Sequence, residues 1–177
     1  MLTLITGASA SGKSEYAESL AVKTGKRLCY IATMRQCGGS DGEFLQRVAR
    51  HRALRAGKGF VTLECPFSPV DLDASQYDTA LLECLSNLVA NEVFDGAGAK
   101  TETVVLEGIK HLCGQCKNLI VVTNELFSDG VAYDEGTREY MRVLGKINCK
   151  LAKMAQRVVE VVYTLPIVYK NEGSKAE

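Results

Sequence analysis

Eight residues near the start constrain this chain more than any other segment. They are Gly7, Ala8, Ser9, Ala10, Ser11, Gly12, Lys13 and Ser14. Together they match G-x-x-x-x-G-K-[ST] at every fixed position. The apolar run Leu2–Thr6 leads into them, and an amphipathic stretch, Lys13–Lys23, leaves them. A strand, a small-residue loop and a helix in that order form a phosphate cradle. Gly7 and Gly12 let the backbone come close to a ligand where a Cβ would intrude. The loop amides and the helix N-terminus then present N–H groups to phosphate oxygens. Lys13 is placed to reach the β- and γ-phosphates, and Ser14 to hold Mg²⁺. The expectation is a protein that binds a nucleoside triphosphate.

The rest of the chain repeats the same alternation. Short apolar runs at Leu28–Ala32, Phe60–Leu63, Thr79–Leu82, Leu119–Thr123 and Val158–Tyr163 read as strands buried on both faces. Between them, Gly42–Arg55, Leu85–Phe94, Thr103–Cys116 and Asp134–Gln156 read as helices. The expected fold class is α/β: a mainly parallel, doubly wound sheet with helices on both faces. With 177 residues and domains averaging about 150, one domain is expected. It should span residues 1–170, with 171–177 a disordered tail.

The formal charge balance is zero, 21 cations against 21 acids, which disfavours a nucleic-acid binder. The distribution is uneven. Arg47, Arg50, Arg52, Arg55 and Lys58 crowd one stretch that holds no acid. Arg47, His51 and Arg55 are spaced i, i+4, i+8 and share a helix face. Such a face suits a polyanion, and Arg suits bidentate phosphate contacts. The cations would also keep the His51 imidazole neutral and nucleophilic. A neutral imidazole beside a nucleotide can attack the α-phosphorus and carry the nucleotidyl group. The other reading of this stretch is a solvated basic helix with an incidental histidine.

A carboxylate should complete the magnesium site at the end of a strand. Glu83 and Glu125 both have that form. The seven cysteines (Cys29, Cys37, Cys65, Cys84, Cys113, Cys116 and Cys149) are odd in number, and no secretory signal pattern precedes them. Free thiols in a reducing cytoplasm are expected. A membrane span is not, because no uncharged apolar run approaches about 18 residues. Cys113-Gly114-Gln115-Cys116, close to His111, reads as a helix end, a lone C-x-x-C being a weak zinc signal.

In order along the chain stand the phosphate loop, then Tyr30-Ile31-Ala32-Thr33, then R-x-x-x-H-x-x-x-R over Arg47, His51 and Arg55. Thr62-x-Glu64-x-Pro66, Leu81-Leu82-Glu83-Cys84, Asn91, Val122-Thr123-Asn124-Glu125, Gly145-x-x-Asn148-x-x-Leu151-Ala152 and Pro166–Lys170 follow. This ordered set resembles the bifunctional adenosylcobinamide kinase / adenosylcobinamide-phosphate guanylyltransferase family of cobalamin biosynthesis. Ala8 and Ala10 stand where that family's loop, G-G-x-R-S-G-K-S, usually has Gly and Arg.

The resemblance implies a RecA-like P-loop NTPase fold, commonly a homotrimer, acting on a corrinoid with ATP or GTP. It implies phosphorylation of the aminopropanol hydroxyl of adenosylcobinamide. Transfer of GMP from GTP onto that phosphate then proceeds through a phosphoramidate on His51. It implies Lys13 as a catalytic residue beside His51. Nucleotide contacts carry over to Gly7 through Ser14, to Thr33, Met34 and Arg35, and to Arg55, Glu64 and Glu83. Ser14 and Glu83 are the implied Mg²⁺ ligands. A plain P-loop small-molecule kinase, without the transferase half, is the alternative. A GTP-binding switch fits less well. Such proteins usually carry an N-K-x-D guanine motif, which this chain lacks, Thr123-Asn124-Glu125-Leu126 being a poor match.

Overall fold

The structure is a computed structural model that describes residues 1–35, 42, 49, 55–127 and 130–172. Seven strands form one sheet among these residues, in the order β3-β2-β4-β5-β1-β6-β7. They are β1 (Leu2–Thr6), β2 (Leu28–Ala32), β3 (Phe60–Glu64), β4 (Thr79–Glu83), β5 (Asn118–Val122), β6 (Arg157–Val162) and β7 (Leu165–Asn171). All neighbours pair in parallel except β6 with β7. The described helices are α1 (Lys13–Thr24), α2 (Leu85–Asp95), α3 (Thr101–Gln115) and α4 (Glu135–Met154). The helix expected at Gly42–Arg55 lies almost wholly outside the described residues.

Alternate residues of β1, β2, β4 and β5 feed two separate cores, which is why those runs are apolar throughout rather than every second residue, whereas β3, expected to be buried on both faces, is largely exposed at the sheet edge. On one face Ile5, Tyr30, Leu81, Ile120 and Val122 meet Ala17 and Ala21 of α1. On the other, Leu4, Ile31, Leu82 and Val121 meet Leu88 of α2, Ile109 of α3 and Leu144 of α4. Helices therefore cover both faces. The ends of α4 follow local chemistry. Asp134 caps it by accepting from Thr137 N at 3.0 Å, and the helix stops at Met154, before Arg157 opens β6.

One strand departs from the sequence reading. The chain turns at Tyr163-Thr164 and runs back as β7, with Val162 opposite Leu165. Both turn residues take positive φ, 49° and 68°. A two-residue hairpin demands that geometry and normally recruits Asn-Gly. Tyr-Thr carries no such signal, so the run reads as one strand. β7 continues to Asn171, and Glu172 N donates to Gln156 O at 2.7 Å. Residues 173–177 lie outside the described residues.

No described helix is long and apolar enough to cross a membrane. Cys29, Cys65, Cys84, Cys113, Cys116 and Cys149 are free thiols. Cys116 ends α3, with its Sγ donating to Leu112 O at 3.2 Å.

Helix α3 is held close to the turn Pro69–Asp71 by Gly108. A Cβ at Gly108 would lie 2.7–3.0 Å from three atoms of the Pro69 ring, which cannot swing away. Overpacking of this kind costs about 1–3 kcal/mol, and the helix-propensity gain of Gly→Ala returns at most about 1. Gly108→Ala should therefore lower the urea midpoint with an unchanged slope. At Gly114, on the same helix, a methyl meets nothing within 4 Å. Gly114→Ala should raise the midpoint, and two shifts of the same sign would contradict this account of the packing.

Candidate active site

The loop after β1 sits at the C-terminal edge of the sheet. Three backbone bonds close it: Ser11 N to Ala8 O at 3.2 Å, Glu125 N to Gly7 O at 3.1 Å, and Thr164 N to Ser11 O at 2.8 Å. Neither conserved-pattern glycine has room for a side chain. A Cβ on Gly7 would stand 2.6 Å from Val161 O, and one on Gly12 would stand 3.0 Å from Thr164. Gly12 also takes φ 92° as it opens α1, and Ala10 takes φ 58° without being glycine. Non-glycine residues in that region store strain and cluster at ligand sites.

Lys13 is buried, and its Nζ donates to Ala8 O at 2.9 Å. Burial lowers its pKa, an effect that the nearby Glu83 carboxylate opposes. Ser14 donates its hydroxyl to Oε1 of Glu83, which ends β4 two strands away. Glu83 Oε2 is buried without a hydrogen-bond partner. Of the two candidate acids, Glu83 is the one whose carboxylate meets Ser14. The Glu125 carboxylate instead accepts from Phe127 N at 2.8 Å. A hydroxyl and a carboxylate are hard oxygen donors of the kind Mg²⁺ takes alongside phosphate and water. Among the described residues no group of three or more His, Cys, Asp or Glu could hold a metal.

Arg55 is the described end of the basic stretch. Its guanidinium lies 3.5 Å over the Tyr30 ring of β2, on the α1 face, and its Nη1 is buried without a partner. Burial drives the Tyr30 phenol far above its usual pKa. Next along, Lys58 Nζ pairs with Glu18 Oε2 at 2.5 Å. Glu18 itself is 1% exposed, and its Oε1 has no partner. Ser11 Oγ is unpartnered as well. Buried polar atoms are normally satisfied. Of the five exceptions among the described residues, Ser11, Glu18, Arg55, Glu83 and Arg157, two belong to the loop and its acid and a third is the buried arginine implied as a nucleotide contact.

The other expected contacts fall into two groups. Thr33 is fully buried, and its hydroxyl donates to Cys84 O at 2.8 Å while Asn91 holds its carbonyl at 2.9 Å. It ties the end of β2 to the end of β4. Met34 is half-buried beside it. Arg35 is exposed, stacks 5.5 Å over Phe67 and pairs with Asp95 at 2.7 Å. Glu64 is exposed at the end of the edge strand β3. Arg47, Arg50, His51 and Arg52 lie outside the described residues. The sequence reading missed the wall that Thr164 builds beside the loop, for which no signal existed. It also missed Glu18, although the i, i+4 spacing from Ser14 puts both on one face of α1.

A model of the family described as cobinamide kinase / cobinamide phosphate guanyltransferase matches residues 3–168. The chain is 33% identical to the bifunctional adenosylcobalamin biosynthesis protein CobP of Pseudomonas aeruginosa, covering 97% of this chain and 99% of that one. It is 29% identical to the bifunctional adenosylcobalamin biosynthesis protein CobU of Salmonella typhimurium, over 92% and 96%. In fold it is similar to the KaiC-like protein of Pyrococcus horikoshii, with a TM-score of 0.55 and 13% identity over 99% of this chain and 81% of that one. The flagellar accessory protein FlaH of Methanocaldococcus jannaschii gives a TM-score of 0.53 and 15% identity over the same shares. The sheet and its loop are thus a RecA-like P-loop arrangement, and the chain belongs to the cobinamide kinase / cobinamide phosphate guanyltransferase family.

Proposed function

We propose that this protein phosphorylates adenosylcobinamide and then transfers GMP from GTP onto the product. The observation that carries the reading is the Ser14–Glu83 contact beneath the loop, with a second buried carboxylate oxygen left over. In the first reaction the loop amides and Lys13 hold the β- and γ-phosphates. The aminopropanol hydroxyl attacks the γ-phosphorus in line, the bond to the bridging oxygen breaks, and a nucleoside diphosphate leaves. Ser14 and Glu83 would hold Mg²⁺, which offsets the charge on the transferring group. Thr33 acts by tying β2 to β4 behind Glu83, and Met34, Arg35 and Glu64 lie at the rim.

In the second reaction an imidazole nitrogen of His51 attacks the α-phosphorus of GTP and pyrophosphate leaves. A phosphate oxygen of adenosylcobinamide phosphate then displaces the histidine, giving adenosylcobinamide-GDP. Arg55, with one buried donor unpaired, supplies a contact for the nucleotide. The described thiols are free, in keeping with a reducing cytoplasm. Exposed Leu165, Ile167, Val168 and Tyr169 on β7 suit burial between copies in a homotrimer.

Three outcomes follow. With α-labelled GTP and Mg²⁺, wild-type protein should acquire acid-labile, base-stable label. His51→Ala should acquire none while keeping γ-phosphate transfer, and an unlabelled wild type would remove the transferase half. Glu83→Gln should raise the Mg²⁺ concentration for half-maximal kinase activity by about ten-fold or more, the range seen when a metal site's support is lost. An unchanged Mg²⁺ dependence would put the metal elsewhere. Sedimentation should give three times the 19.2 kDa chain mass, and a monomer at working concentration would refute the trimer.

A further inference from the structure

We propose that Tyr163 is a stacking seat for the purine base of the phosphoryl donor, resting on the kinase reading above. The hairpin tip is part of the loop's wall. Thr164 N donates to Ser11 O at 2.8 Å, and Gly12 lies against Thr164 so closely that a Cβ would be 3.0 Å away. One strand back, Val161 O faces Gly7 in the same manner. Tyr163 adjoins this contact and is 88% exposed.

The sheet order says which end of the nucleotide comes here. Ser14 and Glu83 mark the metal and γ-phosphate end, and β4 lies on one side of β1. β6 and β7 lie on the other side. A triphosphate that lies along the loop with its γ end toward Glu83 sends its ribose and base toward the hairpin.

The tip is also conformationally costly. Tyr163 and the β-branched Thr164 both hold left-handed backbone, where glycine or asparagine would sit without strain. A large aromatic ring held in solvent at such a place gains nothing in the free protein. Set over a purine it gains a stacking surface that any base can use. Two other tyrosines, on the α1 side of the sheet, are already engaged. Tyr16 Oη accepts from Arg157 at 3.0 Å, and Tyr30 lies under Arg55. Stacking reads a π-face and no hydrogen-bond pattern. The seat therefore gives affinity without choosing between ATP and GTP.

The chain has no tryptophan, so Tyr163→Trp introduces a single reporter. Its fluorescence should be quenched by ATP and by GTP with similar affinity. Inorganic tripolyphosphate should displace either nucleotide without quenching by itself. In kinase assays Tyr163→Ala should raise KM for ATP and for GTP by about ten-fold with kcat unchanged, while Tyr163→Phe stays near wild type. Tripolyphosphate inhibition should be the same in all variants. Absence of quenching, an unchanged KM in Tyr163→Ala, or a parallel loss of tripolyphosphate affinity would overturn the proposal. The last would mean that the tip merely braces the loop. The binding arm uses no corrinoid. Quenching without kinase activity would sink the functional reading and leave the seat standing.

Discussion

The contact on which the site depends is the close approach of backbone to backbone at the two ends of the phosphate loop. Gly7 lies against Val161 O, where a Cβ has no space, and Gly12 lies against Thr164, where a Cβ would press on its Cγ2 at 3.0 Å. This contact fixes the loop to β6 and its turn on one flank. Glu125 N on Gly7 O fixes it to the end of β5 on the other. With both flanks held, the loop amides keep a fixed course, one of them, Ser11 N, being bonded inside the loop to Ala8 O. They stay disposed for an anion, which is the preorganisation that phosphoryl transfer draws on. The parallel order around β1 is what brings these flanks together, because every strand there delivers its C-terminal end to the same edge.

That readiness has an energetic cost. A buried polar atom without a partner costs about 1–3 kcal/mol. Ser11, Glu18, Arg55 and Glu83 each carry one. Against a typical net stability of about 5–15 kcal/mol the sum is large. The two apolar layers offset it, and they are unbroken: Ile5, Leu81, Leu82, Val121 and Val122 are wholly buried in the strands beside the loop. Arg55 shows the compromise within one residue. Its guanidinium plane lies on Tyr30, which shelters it from water, while Nη1 remains available.

Much of this was legible in the sequence, for physical reasons that also mark where legibility stopped. Strands buried on both faces must be apolar throughout, so β1, β2, β4 and β5 stand out as runs. The P-loop stands out because close approach leaves glycine no substitutes. β7 did not stand out, since Leu165, Ile167 and Val168 face solvent and its turn lacks Asn, Gly and Pro. Which acid meets Ser14 was open, because Glu83 and Glu125 both end apolar runs. Only the sheet order and the local bond from Phe127 N to Glu125 separate them. Thr33 was legible as a position but not as a role, because its hydroxyl turns inward to a carbonyl that sequence cannot place.

The flanks of the loop also bear on how one site could run both proposed reactions. Arg55 is anchored over β2, and β2 neighbours β4, so the described end of the basic stretch lies on the Glu83 side of β1. In the kinase reaction that side receives the γ-phosphate. Guanylyl transfer, as proposed, instead acts at the α-phosphorus, two phosphates away from that end. A single nucleotide pose cannot put its γ-phosphate and its α-phosphorus at one end of the loop. The two proposed reactions therefore act at opposite ends of one triphosphate.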